Sequence, residues 1–153
     1  MNGNIYHDQI IEWSKRADRI AKLENVHCRA TASNPLCGDK VSVELELDGD
    51  IIKSMSCQVK GCLLCKASSS ILAERIRNMR FDELRIMSSD LDGALKSSID
   101  NPESFPEGYR MFFPVRMHKS RHSCVLLPLE AAIKAISEYM TSSLKKGEEN
   151  RMP

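Results

Sequence analysis

The chain has 153 residues and six cysteines, three of which stand beside residues that could complete a metal site. These three occur in Cys37-Gly38-Asp39, in Gly61-Cys62 and in Arg121-His122-Ser123-Cys124. In an extended segment, residues i and i+2 point the same way, so Cys37 and Asp39 can direct a thiolate and a carboxylate at one point. Three thiolates and one carboxylate suit zinc or an iron–sulfur cluster. Because its oxygen is a hard donor, Asp39 should be the weakest ligand and leave the contents of the site exchangeable.

The expected positions of these cysteines favour a functional site. Gly38 leaves the backbone free to turn beside Cys37. Cys62 stands where a strand gives way to a helix, and the amide groups and dipole of a helix N-terminus stabilise a thiolate. Cys124 is expected immediately before the last helix. All three cysteines are therefore predicted on loops at the ends of regular elements, where binding sites are commonly built.

The elements that must position these residues belong to one α+β domain. Apolar and polar residues alternate over 40–48, which predicts a half-buried strand, and Asp48-Gly49-Asp50 predicts a hairpin into a strand over 51–59. A further strand is expected at 26–31, and an irregular loop at 101–114. Helices are predicted over 6–23, over 64–79, over 81–99 as one or two helices, and from Pro128, in the first turn, to Lys145-Lys146-Gly147. We predict a single domain over 1–146, with helices on one face of a small antiparallel sheet, and a frayed tail at 147–153.

Composition excludes several classes of protein. Lys and Arg number 22 and Asp and Glu number 21, and a net charge of +1 argues against a strongly basic nucleic-acid binder. The start of the chain has no signal-peptide pattern, and no segment is apolar enough to span a membrane. We therefore expect a cytoplasmic protein without nucleic-acid or membrane partners. Its thiols should stay reduced and serve metal binding or thiol chemistry rather than disulfides.

Several short motifs, in this order, resemble those of the IscU/SufU/NifU iron–sulfur scaffold family. They are Asn34-Pro35-Leu36-Cys37-Gly38-Asp39, Gly61-Cys62, Ala67-Ser68-Ser69-Ser70 and Arg121-His122-Ser123-Cys124, and the resemblance extends over about residues 6–140. It implies an α+β domain with a three-stranded sheet that receives sulfur from a pyridoxal-phosphate cysteine desulfurase. Such a protein assembles a [2Fe–2S] or [4Fe–4S] cluster, or holds zinc in the same pocket, and passes the cluster to apo-proteins. The ligands implied for this chain are Cys37, Asp39, Cys62 and Cys124.

The residues near the last cysteine favour the SufU-like branch of this family. IscU-type proteins have a His directly before this cysteine, and a Leu-Pro-Pro-Val-Lys chaperone-recognition motif. This chain has Ser123 and Met117-His118-Lys119-Ser120-Arg121 at these places. Arg121 and the long interval from Cys62 to Cys124 resemble SufU, so delivery through an Hsp70-type chaperone is not expected. The N-terminal His and Asn-Pro-Arg-Asn-x-Gly stretch of the family is also absent.

Two residues receive specific roles in this hypothesis. Cys124 is expected to accept the sulfur, because it borders a flexible segment. Asp39 is expected to keep the nascent cluster ready for release. The most plausible function is a non-enzymatic scaffold, a monomer or weak dimer, with a cysteine desulfurase and apo iron–sulfur proteins as its partners.

The remaining cysteines and three nearby side chains have competing interpretations. Cys62-x-x-Cys65 brings two thiols within reach of one metal ion, or of each other as a disulfide, while core packing of Cys65 is an equal alternative. Arg121 either stabilises thiolates or pairs with Asp39, unless it is an ordinary surface residue. His118 and His122 are accessory ligand candidates, although exposed loop histidines are commoner. Core packing is favoured for two cysteines, Cys57 and Cys28.

Three other functions are consistent with the same residues. In a zinc-dependent sulfurtransferase, Cys124 would leave zinc and accept the persulfide sulfur. A ferredoxin-like cluster carrier would use Cys57-x4-Cys62-x2-Cys65 with Cys124, which is the plant-type spacing, but would leave Cys37-Gly38-Asp39 without a role. A structural zinc domain would unfold when its metal is removed.

Overall fold

The computed structural model describes residues 6–151, with side chains as far as residue 144. Its helices are α1 (Asp8–Arg16), α2 (Leu63–Arg75), α3 (Phe81–Lys96) and α4 (His122–Arg151), and its strands are β1 (Cys28–Asn34), β2 (Asp39–Asp48), β3 (Ile51–Lys60) and β4 (Met79–Arg80). Short 3-10 segments occupy Ala17–Arg19, Pro102–Ser104, Arg110–Met117 and Lys119–Arg121. This order of elements confirms the predicted α+β class.

The strands form one antiparallel sheet in the order β1-β2-β3-β4. The predicted hairpin between β2 and β3 is confirmed, with Asp48 opposite Ile51. The expected number of strands was one too few, because β4 also pairs with the start of β3. A strand of two residues is too short to show an alternating pattern. Its first residue, Met79, is also the last residue of the helix predicted over 64–79, which instead ends at Arg75 before Asn78 turns the chain with a φ of 64°.

The alternation along β2 determines which side chains face the helices. Val41, Val43 and Leu45 are buried on the face of the sheet that α2 and α4 contact, and the residues between them are partly exposed. Asp39 is two residues before Val41 on the strand, so its carboxylate lies on the same face, which the helices cover. Since a slip of one residue would reverse every side chain, the hydrophobic pattern of β2 fixes the direction of Asp39 as well.

α4 begins earlier and ends later than predicted. It begins at His122, so Pro128 lies inside the helix rather than in its first turn. A proline has no N–H to donate to the carbonyl four residues earlier, here that of Cys124. The helix also continues past Gly147 to Arg151, because a single glycine in a helix costs only about 1 kcal/mol. Residues 152 and 153 of the predicted tail lie outside the described residues.

Two other segments differ from prediction. The helix predicted over 6–23 ends at Arg16, and Ile20 packs against the core from an extended backbone, so the apolar spacing reflected burial rather than helix. The segment predicted as an irregular loop contains 3-10 turns and buries Tyr109 and Phe112. Residues 81–96 form one helix, α3. None of the helices in residues 6–151 is long and apolar enough to cross a membrane.

Candidate metal centre

Cys37 lies in the tight turn that joins β1 to β2, as predicted. Asn34 and Asp39 face each other as the last pair of this ladder. The carbonyl of Asn34 accepts hydrogen bonds from the N–H groups of Cys37 and Gly38, and its side-chain oxygen accepts one from Leu36 at 3.1 Å. Gly38 has a φ of +73°, a conformation that favours glycine. The turn therefore holds Cys37 on an exposed corner while Asp39 returns to the sheet.

The Asp39 carboxylate is buried against the start of α2. Its Oδ1 accepts a hydrogen bond from the N–H of Cys62 at 3.2 Å, and the side chain is only 3% exposed. Gly61 makes this approach possible, because a Cβ at this position would lie 2.6 Å from Oδ1 and 2.9 Å from Cγ. Sequence reasoning singles out Gly61 only as part of the Gly61-Cys62 motif. Its place directly before Cys62 was the signal available for its role beside Asp39.

Cys62 is the N-cap residue of α2, which confirms its predicted position at a helix N-terminus. Its sulfur accepts a hydrogen bond from the Cys124 thiol and others from the N–H groups of Leu64 and Cys65. The bond from Cys124 is the main cause that lowers the pKa of Cys62 to about 7, against the opposing effect of burial. When protonated, the Cys62 thiol donates to Asp39 Oδ2 at 3.7 Å. Cys62 therefore ionises more readily than Cys124, its hydrogen-bond donor.

Cys124 lies inside α4, as its third residue, and its side chain is fully buried. The loop position predicted for it is wrong, because α4 begins before the cysteine. The hydrogen bond that it donates to Cys62 raises the pKa of Cys124, and burial raises it further. The Arg121 guanidinium is also hydrogen-bonded to the Cys124 sulfur, which raises the pKa of Arg121. Arg121 therefore contacts the sulfur of Cys124, and its role in stabilising a thiolate stays a prediction.

These elements bring three of the four predicted ligands into one group. The ligand atoms of Cys37, Asp39 and Cys124 all lie within 4.8 Å of one another. Cys62 is outside that group, but its sulfur lies 3.7 Å from Asp39 Oδ2 and is hydrogen-bonded to Cys124. Ligand atoms around a tetrahedral zinc with thiolate bonds of about 2.3 Å are about 3.8 Å apart, so small side-chain rotations suffice for coordination. The soft donor set fits zinc or an iron–sulfur cluster.

Polar contacts behind the ligands join the segments that carry them. The Asn34 side-chain amide donates to the Ser123 hydroxyl, which links the turn of Cys37 to the start of α4. The buried hydroxyl of Ser68 donates to the carbonyl of Val125 and joins α2 to the same turn of α4. Sequence reasoning notes these residues only as parts of motifs. Their partners are distant in sequence, so no local pattern could assign the contacts.

The accessory candidates lie outside the three-residue group. Cys65 is fully buried on α2, and burial raises its pKa. Nε2 of His122 donates to the carbonyls of Val115 and Arg116, both at 3.1 Å, so this nitrogen faces away from the ligands.

Cys28 and Cys57 both lie in the hydrophobic core, in agreement with the packing role predicted for them. Burial raises the pKa of Cys28 to about 11 and that of Cys57 to about 12. The position of Cys57 on the core side of β3 argues against the ferredoxin-type ligand set.

The chain is similar to known proteins over most of its length. The family model of the NifU-like N-terminal domain matches residues 5–146. An iron–sulfur cluster assembly scaffold protein IscU from Thermotoga maritima is 23% identical over 140 residues, which are 87% of this chain and 95% of that protein. The zinc-dependent sulfurtransferase SufU of Bacillus subtilis is 32% identical over 56 residues, 37% of this chain and 38% of SufU.

A solved structure supports the same relationship. The crystal structure of a nitrogen-fixing NifU-like protein (N-terminal) from Brucella abortus superposes with a TM-score of 0.78 and 30% sequence identity. The match covers 90% of this chain and 95% of that one. With a family model that matches almost the whole chain and a fold shared over the same extent, the protein belongs to the NifU-like N-terminal domain family.

Proposed function

We propose that this chain is a scaffold on which an iron–sulfur cluster is assembled and from which the cluster passes to apo-proteins. A cysteine desulfurase would supply the sulfur. The observation that carries the proposal is the approach of Cys37, Asp39 and Cys124 to within 4.8 Å of one another, with Cys62 beside them. The relative from Thermotoga maritima, which is named as such a scaffold, matches 87% of this chain.

The four side chains have complementary chemistry for this function. Cys37, Cys62 and Cys124 supply soft thiolates, and four donor residues match the ligand number of either a [2Fe–2S] or a [4Fe–4S] cluster. Asp39 supplies the one hard oxygen and makes the weakest bond to iron. Cys37 lies on an exposed turn, which gives an apo-protein direct access to one corner of the cluster. The weak bond from Asp39 and the accessible thiolate of Cys37 would therefore allow the cluster to be released, while the other two thiolates retain it.

The entry point of sulfur is better assigned to Cys62 than to Cys124. Sequence alone favours Cys124, on the ground that it borders a flexible segment. Its side chain is instead buried in α4 and keeps the proton that it donates to Cys62. Cys62 is half-buried, and its lowered pKa of about 7 leaves a substantial fraction of it as thiolate at neutral pH. Since thiolates are the attacking species in sulfur exchange, we assign the first attack to Cys62 and a stabilising role to Cys124.

Anaerobic reconstitution tests the scaffold function. Metal-free protein is incubated with ferrous iron, a cysteine desulfurase, L-cysteine and dithiothreitol. We expect the visible absorption of a cluster on the chain, followed by transfer to an apo-ferredoxin faster than in a mixture without the chain. Cys37→Ala should lose the cluster, whereas Cys28→Ala, which removes a core thiol, should load like the native chain. Failure to form a cluster, or equal loading of Cys37→Ala, would contradict the proposal.

A zinc-dependent sulfur acceptor is the second candidate. The contact between Arg121 and the Cys124 sulfur favours it, because a guanidinium can hold a thiolate that has left zinc. The SufU-like branch, inferred from Arg121 and Ser123, belongs to the same proposal. Metal analysis of anaerobically purified protein separates the two functions. Tightly bound zinc, no reconstituted cluster and faster desulfurase turnover, lost in Arg121→Ala, would favour the acceptor.

A further inference from the structure

A second thiol lies next to Cys62 and has no part in the ligand group. Cys65 follows three residues later on the first turn of α2, and its N–H donates to the Cys62 sulfur. Its side chain is fully buried, whereas Cys62 is half-buried at the site. The pair thus consists of one half-buried and one fully buried sulfur, in a Cys-x-x-Cys sequence at a helix N-terminus.

The backbone at this point permits a bond between the two sulfurs. On a helix, residues i and i+3 have Cβ atoms about 5–6 Å apart, while a disulfide requires about 3.5–4.5 Å. Cys62 has a φ of −74° and a ψ of 169°, so it is an N-cap residue with extended backbone, and its carbonyl accepts the first helical hydrogen bond, from the N–H of Lys66 at 3.1 Å. The Cβ separation of two helical residues therefore does not apply to this pair, and a small adjustment of the Cys62 backbone would bring the two sulfurs into bonding range. Cys-x-x-Cys pairs at helix N-termini are the usual arrangement of protein dithiols that undergo redox exchange.

The chemistry of the delivered sulfur creates a need for such a pair. A desulfurase persulfide carries sulfane sulfur, and two electrons are required to convert it to the sulfide of a cluster. We propose that Cys62 and Cys65 act as a dithiol that reduces the delivered sulfur to sulfide inside the site. This inference rests on the proposed function, because it assumes that a desulfurase transfers sulfur to Cys62.

The reaction balances in two steps. In the first, the Cys62 thiolate attacks the outer sulfur of the desulfurase persulfide, which gives a Cys62 persulfide and returns the desulfurase thiolate. In the second, the Cys65 sulfur attacks Cys62 Sγ, the bond from Sγ to the outer sulfur breaks, and a Cys62–Cys65 disulfide forms. The outer sulfur keeps its own proton, takes the electron pair of the broken bond and the proton of the Cys65 thiol, and leaves as hydrogen sulfide. An external dithiol, such as a small dithiol protein or dithiothreitol, then reduces the disulfide.

The grouping of ligands is compatible with this step. While Cys62 is engaged in the disulfide, the three residues within 4.8 Å of one another, Cys37, Asp39 and Cys124, remain free to hold iron. The Cys62 sulfur lies 3.7 Å from Asp39 Oδ2, so the sulfide is released at the edge of this group. Reduction of the disulfide afterwards returns Cys62 as the fourth ligand.

Single-turnover sulfur transfer tests the proposal. Reduced, metal-free protein is mixed with a cysteine desulfurase and L-cysteine without added reductant, then trapped with an alkylating agent and analysed by peptide mass spectrometry. The native chain should release one sulfide per disulfide and carry a Cys62–Cys65 disulfide. In Cys65→Ala and Cys65→Ser the Cys62 persulfide should accumulate, with sulfide release lower by about tenfold or more, because the intramolecular attack is lost. Cys57→Ala removes a neighbouring core thiol and should behave like the native chain.

Two results would overturn the inference while the proposed function stands. One is a persulfide that persists on Cys62 of the native chain as long as on Cys65→Ala. The other is unchanged sulfide release from both Cys65 variants. A disulfide that joins Cys65 to Cys57 would also contradict it, since that pair leaves the persulfide intact.

A measurement without the desulfurase separates the inference from the proposed function. Oxidised glutathione, added to the metal-free native chain, should produce the Cys62–Cys65 disulfide and no other. If this disulfide does not form, the inference fails regardless of sulfur transfer. If it forms but neither the native chain nor Cys65→Ala acquires sulfur from the desulfurase, the proposed function fails, and the reduction of sulfur fails with it.

Discussion

Asn34 donates a hydrogen bond from its side-chain amide to the hydroxyl of Ser123, 89 residues further along the chain. Asn34 ends β1, directly before the turn that carries Cys37, and Ser123 precedes Cys124. The bond therefore connects the two segments whose cysteines form a ligand group with Asp39. Because the two residues are far apart in sequence, this bond is a tertiary contact. It positions the segments that carry the ligands, although neither residue is itself a ligand.

Ser123→Ala should weaken metal binding more than it weakens the fold. Loss of a contact that orients a ligand typically lowers metal affinity by about 10–100-fold, while one hydrogen bond contributes about 1 kcal/mol to stability. Zinc affinity, measured by competition with a chromophoric chelator, checks this. Ser54→Ala is the matched control, because Ser54 also donates to a side chain, Glu46, but on the sheet ladder. Equal zinc affinities of the two variants would contradict the positioning role.

Gly61→Ala should displace the Asp39 carboxylate. The added Cβ would lie 2.6 Å from Oδ1, so the carboxylate must move and the bond from the Cys62 N–H must lengthen. We expect zinc affinity to fall in Gly61→Ala, and no further fall when the change is added to Asp39→Ala, as in a double-mutant cycle. Gly93→Ala is the control, since its Cβ meets nothing within 4 Å. It should leave zinc affinity unchanged and stabilise α3 by up to about 1 kcal/mol.

Asp39→Ala should slow the release of a reconstituted cluster. The variant removes the hard oxygen and leaves the soft sulfur donors, so exchange at the weakest bond is lost. Transfer to an apo-ferredoxin, followed by absorption or circular dichroism, is the measurement. Asp92→Ala changes an exposed carboxylate on α3 and should transfer at the native rate. Faster release from Asp39→Ala, or no change, would contradict the role assigned to Asp39.

The reactivity of Cys62 should depend on pH through its bond to Cys124. In metal-free protein the rate of alkylation by iodoacetamide follows the thiolate fraction, so it should rise with pH and be half-maximal near pH 7, where the pKa of Cys62 lies. Cys124→Ala removes the principal donor and should move the midpoint upward, toward the ordinary value of 9.0. Peptide mass spectrometry across pH measures both. An unchanged midpoint in Cys124→Ala would exclude the hydrogen bond as the cause.

Removal of metal should leave the fold intact. The core between the sheet and the helices, which includes Val43 and Leu91, consists of apolar side chains. Its packing therefore should not require a bound ion. Chelation should therefore preserve the far-ultraviolet circular dichroism. Added zinc should raise the unfolding free energy by about 2.7 kcal/mol at a hundredfold excess over its dissociation constant. Loss of helical signal on chelation would instead favour a structural zinc domain.

Local patterns predicted the elements nearest to the ligands well. The alternation of β2 and the hairpin to β3 were predicted because strand periodicity and turn residues are adjacent in sequence. The helix N-terminus at Cys62 was predicted for the same reason. The beginning of α4 was not, because Pro128 suggested a first turn and nothing local shows that the helix starts at His122.

Contacts between distant segments account for what sequence reasoning missed at the site. The burial of Cys124 depends on how α4 lies across the sheet, and the role of Gly61 depends on the side chain of Asp39 on another strand. His122 was an accessory candidate by residue type, but its ring nitrogen is occupied by two backbone carbonyls. Spacing identified the ligand residues as candidates, whereas their orientation required the fold.

The hairpin of β2 and β3 sets a rule for how the spacing of the ligands can change. Asp39 begins β2 and Cys62 follows the end of β3, so the ladder between them returns the chain to its starting edge, with Lys40 opposite Lys60. Residues can be added to or removed from the far end of this ladder in matched cross-strand pairs while both ligands stay in place. A single residue inserted into one strand alone must be accommodated by a bulge, such as the register shift between Glu46 and Leu47. Otherwise it would turn the side chains of that strand to the opposite face of the sheet. The number of residues between Asp39 and Cys62 can therefore change, but in steps of two.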